Sequence, residues 1–181
     1  MTSNAQQDQS NEPLFLHISS TRLIFLSIAS FGAYEAYWIY KNWQYIKKRD
    51  GLSIRPFWRG FFGVLFCHSL LRRIYGDQEA RSIKQPTFSA SGLATGWIIL
   101  VVAANIISRA SIEASLVAGI IPSYLCLLPV QNYINSVAKK ASSAHEFYRW
   151  SFGHIFCLIF GIIVWISLLL GLAEGERVIM Q

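Results

Sequence analysis

The chain has 181 residues, of which 53% are hydrophobic and 14% are charged, and its mean hydropathy is +0.36. This composition is too apolar for an ordinary soluble domain and predicts one membrane-embedded domain. A formal net charge of +6 also occurs in nucleic-acid-binding proteins. Here, however, the basic residues flank apolar runs instead of forming a polar stripe, so no nucleic-acid partner is predicted.

The first segment, residues 1–20, is polar and lacks lysine and arginine, so we predict a disordered tail without a cleavable signal peptide. The first apolar run, residues 21–40, has about the 20 residues that a helix needs to cross a bilayer. It ends among tyrosine and tryptophan side chains of the kind that lie at the membrane interface. We therefore predict that this run is the first transmembrane helix.

The second apolar run, residues 57–71, is short for a crossing and contains Arg59 and His68. Basic residues flank it on both sides, at Arg55 and at 72–73. A crossing would place one of these basic flanks outside the cell. The run is therefore predicted to be an interfacial or re-entrant amphipathic helix.

Three further apolar runs complete the predicted fold, at residues 91–108, 115–137 and 147–172. Pro122 and Pro129 interrupt the second of these and are expected to break or bend its helix. The predicted fold class is all-α: a polytopic membrane protein with four transmembrane helices plus one interfacial or re-entrant helix. Residues 21–173 form a single transmembrane domain, and residues 174–181 form a short polar tail.

Lysine and arginine concentrate in the polar segments between the apolar runs, at residues 41–59, 72–84 and 139–149. Cytoplasmic loops carry such an excess of basic residues, so these segments are predicted to face the cytoplasm. With four crossings, both termini then lie on the outer side. The phospholipid bilayer is the predicted principal partner.

Glu35 is the most unusual residue of the first apolar run, because an ionisable side chain at membrane depth is costly and is a candidate functional residue. We predict that Arg59 or His68 pairs with it and relieves this cost. A structural ion pair is the favoured interpretation, and proton or substrate chemistry is the alternative. The candidate functional polar cluster comprises Glu35, Arg59, His68, Asn132 and His154.

No catalytic residue, metal site or cofactor is predicted. The pairs Cys67-His68 and His154-x-x-Cys157 contain good ligands for zinc, copper or haem. Their spacing matches no recognised metal motif, and adjacent side chains diverge on a helix. Buried polar contacts between helices are the favoured interpretation of both pairs.

Small residues at four-residue spacing predict close packing between helices. Gly92 and Gly96 form such a pair in one run, and Gly153, Cys157 and Gly161 continue the same spacing in the last run. Packing within one chain is the favoured interpretation, because the predicted helices must pack on each other first. A homodimer or another membrane-protein partner is the alternative.

A motif rich in tyrosine and tryptophan marks the end of the first apolar run, formed by Gly32, Tyr34, Tyr37, Trp38, Tyr40, Asn42 and Trp43. A Pro-x-x-Arg motif from Pro56 to Arg59 and a His-Ser-Leu motif at 68–70 follow it. With these motifs, residues 20–75 resemble a group of bacterial inner-membrane proteins of unknown function. The resemblance implies a location in the bacterial inner (cytoplasmic) membrane, and it carries over no functional residue. In that membrane the outer side, where the distribution of basic residues places both termini, is the periplasm.

These patterns together predict a non-enzymatic integral membrane protein, an accessory or scaffold protein that acts through helix–helix and lipid contacts. The alternative is a small transporter or channel component that uses Glu35 and the proline-interrupted third span. A scaffold predicts that the intramembrane polar residues pair off, whereas a transporter predicts that they converge on one cavity. A membrane enzyme ranks third, because only scattered candidate residues support it.

Overall fold

The computed structural model describes residues 13–141 and 151–179, with side chains described as far as residue 173. Within these ranges every regular element is helical, as the sequence predicts, and there is no strand. In chain order the elements are α1 (Ser20–Ala29), α2 (Ala33–Asp50), α3 (Pro56–Phe61), α4 (Gly63–Gly76), α5 (Gln78–Ile83), α6 (Ala90–Ile107), α7 (Ile112–Ile120), a 3-10 turn (Ser123–Cys126), α8 (Leu128–Lys140) and α9 (Phe152–Ile179).

Two helices of the described chain are long and apolar enough to cross a membrane, namely α6 and the first 22 residues of α9. The segment from α7 through the 3-10 turn to α8 passes the same test as one bent span, with an angle of 44° at its break. Pro122 precedes the 3-10 turn and Pro129 lies in the first turn of α8, so the predicted proline break is observed. The start of the predicted last span, at residues 147–150, lies outside the described residues.

The predicted first transmembrane helix is instead a helical hairpin formed by α1 and α2. Helix α1 has only 10 residues, and the chain reverses where Phe31 and Gly32 adopt positive φ angles of 56° and 82°. The N–H of Leu16 then donates to Asn42 Oδ1 at 3.1 Å. The Arg49 guanidinium lies 5.5 Å from the ring of Phe15. Because the two ends of this segment lie side by side, residues 21–40 do not form one continuous span.

The residues immediately before α1 also depart from the predicted disordered tail. Phe15, Leu16 and Ile18 are buried in the core, and Ser19 caps α1 by accepting a hydrogen bond from the Arg22 N–H. Their apolar side chains explain the difference, because burying them against α2 and α8 offsets the entropy lost on ordering the chain. The rest of the predicted tail, residues 1–12, lies outside the described residues.

Helices α3 and α4 form a second hairpin, which turns at Phe62. The end of α4 lies beside the end of α2, because Arg73 pairs with Asp50 at 2.6 Å and Arg49 pairs with Asp77 at 2.5 Å. The segment therefore returns to the side from which it starts. The single helix predicted for this run is therefore broken into two, and its interfacial or re-entrant position stays a prediction.

Glycine lets the second hairpin approach α2 closely. A Cβ atom at Gly60 would lie 2.5 Å from Tyr40 Cβ and 2.9 Å from the Ala36 carbonyl oxygen. No real side chain fits that space, so the α2–α3 contact requires glycine at this position. The two hairpins consequently pack as one unit, with the large aromatic side chains of α2 at its centre.

The predicted helix-packing glycines mostly contact other parts of the same chain. A Cβ at Gly161 would collide with the backbone of Ala29 and Ser30, and one at Gly153 would collide with the Tyr37 ring. A Cβ at Gly96 would lie 3.1 Å from Cys126 Sγ, whereas one at Gly92 would meet only the Ser89 side chain that caps its own helix. Helix α9 thus docks on the first hairpin through small residues.

Candidate functional site

Glu35 lies in the first turn of α2, directly after the reversal of the first hairpin. Its side chain is buried, with 2% of the residue surface exposed. The turn of the second hairpin, at Gly63, lies beside it. A Cβ at Gly63 would be 3.0 Å from Ile39 Cδ1, one helical turn after Glu35, and 3.3 Å from the Trp97 ring. The turns of both hairpins therefore meet α6 around one buried carboxyl group.

Both oxygens of Glu35 accept hydrogen bonds from residues other than the predicted partners. Ser123 Oγ–H lies 2.8 Å from Oε1 and 2.9 Å from Oε2, and the indole N–H of Trp97 donates to Oε2. Ser123 belongs to the 3-10 turn that interrupts the bent span, and Trp97 belongs to α6. These donors are neutral, so they satisfy the carboxyl oxygens without cancelling a charge.

A cavity of about 280 Å³ extends from Glu35 between the hairpin turns, the second half of α6 and the end of α7. Its volume is several times the roughly 30 Å³ that one water molecule occupies in liquid. Its polar lining includes Glu35, Ser27, Asn105 and Ser123. Of the five residues of the predicted polar cluster, only Glu35 lines this cavity, where it contacts Ser123 of the 3-10 turn.

Arg59 and His68 lie elsewhere on the second hairpin and have their own contacts. The Arg59 guanidinium stacks 4.2 Å from the Trp43 ring centroid and 5.2 Å from that of Phe66. The His68 ring nitrogen Nε2 lies 3.1 Å from Thr95 Oγ1 on α6. The predicted pairing of either residue with Glu35 is thus replaced by stacking for the arginine and a hydroxyl contact for the histidine.

Asn132 and His154 are separated from Glu35 as well as from each other. Asn132 Oδ1 accepts a hydrogen bond of 2.5 Å from the Ser20 hydroxyl at the start of α1. His154 Nδ1 accepts from the Ser151 N–H at 3.2 Å. The neutral ring then carries its proton on Nε2, which faces the Tyr34 hydroxyl at 3.2 Å. The five predicted cluster residues therefore occupy five separate environments.

Gln131 is a buried polar centre that the sequence patterns do not single out. Its side-chain oxygen accepts a 2.6 Å hydrogen bond from the Trp38 indole N–H. Its amide nitrogen donates to the carbonyl oxygens of Leu16 and Ile18 and to Asn135 Oδ1. The signal in the sequence that could have identified Gln131 is its position at the polar end of the proline-interrupted run. The residues around it in the chain do not indicate its distant partners.

An ionic cluster closes the bases of both hairpins at the basic end of the described structure. The hydrogen bond from Arg49, supported by Arg73, holds the pKa of the Asp50 carboxyl below its ordinary value of 3.8. Asp77 also caps α5 by accepting from the Ala80 N–H. The ion pairs of this cluster join the two hairpins, since each acid contacts an arginine of the opposite hairpin.

Within residues 13–141 and 151–173, no three His, Cys, Asp or Glu side chains are arranged to hold a metal ion. Cys67 and Cys157 are buried and, like the half-buried Cys126, are free thiols. Comparison with known proteins finds no match: no family model, no curated protein and no solved structure matches this chain.

Proposed function

We propose that this protein is a non-enzymatic accessory or scaffold protein of the bacterial inner membrane that acts through helix–helix and lipid contacts. The supporting observation is the way its polar side chains pair within the chain. His154 contacts Tyr34, Asn132 contacts Ser20, and His68 contacts Thr95, each in a different place. Such pairing stabilises an architecture and leaves the outer surfaces for partners.

The aromatic surface of the second hairpin is the strongest candidate for a protein contact. It consists of Phe57, Trp58, Phe61 and Phe62, which touch one another and are 46–67% exposed. Aromatic side chains contribute large contact areas and are enriched at protein interfaces. This surface differs from the exposed apolar face of α9, which is mostly isoleucine and leucine with phenylalanine at 152, 156 and 160.

Photocrosslinking tests the scaffold role with two equally exposed positions. A photoreactive amino acid is placed at Phe61 or at Phe156 of α9, each 67% exposed, and crosslinking is carried out in native membranes. We expect one discrete protein adduct from Phe61 and lipid adducts from Phe156. Lipid adducts alone from both positions would contradict a scaffold role for the aromatic surface.

The hairpins also bear on the proposed topology. Four crossings require residues 21–40 to span the bilayer and place both termini in the periplasm. The meeting of Leu16 with Asn42 favours a re-entrant first hairpin instead, which leaves α6, the bent span and α9 as three crossings. We therefore propose a cytoplasmic N-terminus and a periplasmic C-terminus, with the basic segments still cytoplasmic.

Labelling of single introduced cysteines with an impermeant reagent distinguishes these topologies. Ser53 and Gln78 are expected on the cytoplasmic side and Met180 on the periplasmic side under both. Ser3 decides between them, because three crossings place it with Ser53 and four place it with Met180. Opposite sides for Ser53 and Gln78 would contradict the re-entrant second hairpin, and the parent chain controls for Cys126.

A transporter or channel component is the second candidate, supported by the cavity beside Glu35. A buried carboxyl group where hairpin turns meet a broken helix is an arrangement found at transport sites. This candidate predicts that purified protein in liposomes containing a pH-sensitive dye conducts protons under an imposed potential, and that Glu35→Gln abolishes this flux. Wild-type flux equal to that of empty liposomes would remove this candidate.

A further inference from the structure

A second buried polar group lies at the cavity beside Glu35. Ser27 lines this cavity and is 2% exposed, and its side-chain oxygen has no hydrogen-bond partner among the residues that the structure describes. A serine hydroxyl inside a helix can donate to the carbonyl oxygen four residues earlier, but this one does not. Buried polar groups are nearly always satisfied, so a bound molecule is a natural partner for this hydroxyl group.

The reversal of the first hairpin brings Ser27 and Glu35 to the same cavity. The Gly32 N–H donates to the Ser27 carbonyl oxygen at 2.8 Å, and the Glu35 N–H donates to the Gly32 carbonyl oxygen at 3.0 Å. The two residues therefore flank one turn of the chain, and both are buried. The turn thus supplies the cavity with one polar group from α1 and one from α2.

The charge of an ionised Glu35 is not balanced by the lining of this cavity. Among the described residues that line it, Glu35 is the one acid and none is basic. Its donors, the Trp97 indole N–H and the Ser123 hydroxyl, are neutral. Such donors favour the ionised form of a carboxyl group, whereas a buried charge without a counter-ion is costly. A cation that enters the cavity would offset this cost.

The size and the walls of the cavity indicate which class of cation fits. A volume of about 280 Å³ equals that of about nine water molecules in liquid, which leaves room for a small organic ion. Ile28, Val64 and Val101 contribute apolar walls. These walls suit an alkyl group, whereas a metal ion requires several oxygen ligands around it.

The hydrogen-bonding capacity of the site selects a primary ammonium group. A carboxylate has about four lone-pair positions, and the Trp97 N–H and the Ser123 O–H donate one proton each to Glu35. The positions that remain on Glu35, together with the Ser27 hydroxyl oxygen, match the N–H donors of a protonated primary amine. A quaternary ammonium ion has no N–H and would leave these acceptors unused.

We propose that this cavity binds a small primary alkylammonium ion, with its ammonium group at Glu35 and Ser27 and its alkyl group along Val64 and Val101. Asn105 lines the cavity and is exposed, so it marks the open side through which the ion enters. The inference goes beyond both candidate functions, because binding at this site requires neither a partner protein nor flux across the membrane.

Binding of propylammonium to the purified full chain in a neutral detergent tests this site, measured by calorimetric titration with propan-1-ol as the uncharged probe of similar size. We expect wild-type protein to bind propylammonium in preference to propan-1-ol. Glu35→Gln removes the charge and should weaken propylammonium binding about tenfold or more. Glu113→Gln is the matched control, because it removes an exposed carboxylate outside the cavity and should leave binding unchanged.

Ser27→Ala separates a ligand site from a structural role. It removes a hydroxyl group without a partner among the described residues, so thermal stability should stay unchanged or rise. Propylammonium binding should nevertheless weaken about fivefold or more, because the ammonium group loses an acceptor. This variant decides the outcome should Glu35→Gln unfold.

Four results would overturn the proposal: no binding of propylammonium by wild type, equal binding of propan-1-ol, unaltered binding in Ser27→Ala, or unaltered binding in a folded Glu35→Gln. Displacement of propylammonium by an equal concentration of sodium ions would also overturn it and reassign the cavity to an inorganic cation. The titration uses neither a partner protein nor an imposed potential. Its failure is therefore distinguishable from failure of the crosslinking test or of the flux test.

Discussion

Helices α2 and α9 pack against the rest of this protein through two different kinds of contact. Helix α2 has 18 residues, includes charged side chains and lies at the centre of the core, with Tyr34, Trp38 and Trp43 buried. Helix α9 has 28 residues and is far more apolar, yet most of its large side chains among residues 152–173 are exposed. The more apolar helix is therefore the peripheral one.

The reason is that lipid removes the usual hydrophobic drive between helices. An aliphatic helix gains little by moving from lipid to a protein interior, whereas polar groups gain partners there. The indole N–H of Trp38 bonds Gln131 and the Tyr34 hydroxyl faces His154, so α2 is held by directed contacts. Helix α9 is held by close approach of backbones, and the two kinds of contact should respond differently to mutation.

Gly161→Ala should have the largest effect, because the added methyl group would collide with the Ala29 and Ser30 backbone and separate α9 from the first hairpin. We expect a loss of about 3 kcal/mol of unfolding free energy, measured by thermal or denaturant unfolding in detergent. Gly92→Ala is the matched control, since its methyl group would meet only Ser89, and it should change stability by less than about 1 kcal/mol. Similar losses in both variants would show that α9 does not depend on the glycine contact.

Gln131→Ala should rank second, because it leaves the Trp38 N–H and the carbonyl groups of Leu16 and Ile18 without their buried partner. We expect a loss of about 2 kcal/mol in the same unfolding assay. Gln44→Ala, at a partly exposed position on α2, should cost less than about 0.5 kcal/mol. A stability close to wild type for Gln131→Ala would mean that the core of α2 does not require this polar centre.

Glu35 offers a sharper test of directed contacts through two double-mutant cycles. Glu35→Ala combined with Ser123→Ala should show a coupling energy of about 1 kcal/mol, because the Ser123 hydroxyl donates its one proton to the Glu35 carboxyl group. Glu35→Gln combined with Arg59→Gln should be additive within about 0.5 kcal/mol, since Arg59 stacks on Trp43 instead. Coupling in the second cycle alone would restore the pairing with Arg59 that the sequence predicts.

The ion pairs at the hairpin bases should have the smallest effect. Asp50→Asn should cost less than about 1 kcal/mol, because the Arg73 side chain is 43% exposed and surface pairs are screened. The pKa of Asp50 is lowered in the folded chain, so its contribution is present above the ordinary value of 3.8 and declines as the pH falls below it. Unfolding measured from pH 7 to pH 3 should show this decline in wild type but less in Asp50→Asn.

Features that depend only on residues close together in the chain were predictable from the amino-acid sequence. The apolar lengths of α6 and α9 identify candidate spans, and Pro122 and Pro129 break the helix between them. The basic flanks of the second run favour a segment that does not cross, which stays a prediction. In each case the deciding physics is local, because helix length, a missing N–H and the cost of moving charge across lipid can be evaluated segment by segment.

Only the tertiary structure decided where the chain reverses and what the buried polar groups contact. A run of 20 apolar residues satisfies the length of a span equally well whether or not it turns at Gly32. In the fold it does turn there, and both halves bond to α8, through Ser20 with Asn132 and Trp38 with Gln131. Glu35 has partners 62 and 88 residues away, and Gln131 joins segments more than a hundred residues apart. Such contacts depend on how helices are arranged in space, which hydropathy and spacing along the chain do not encode.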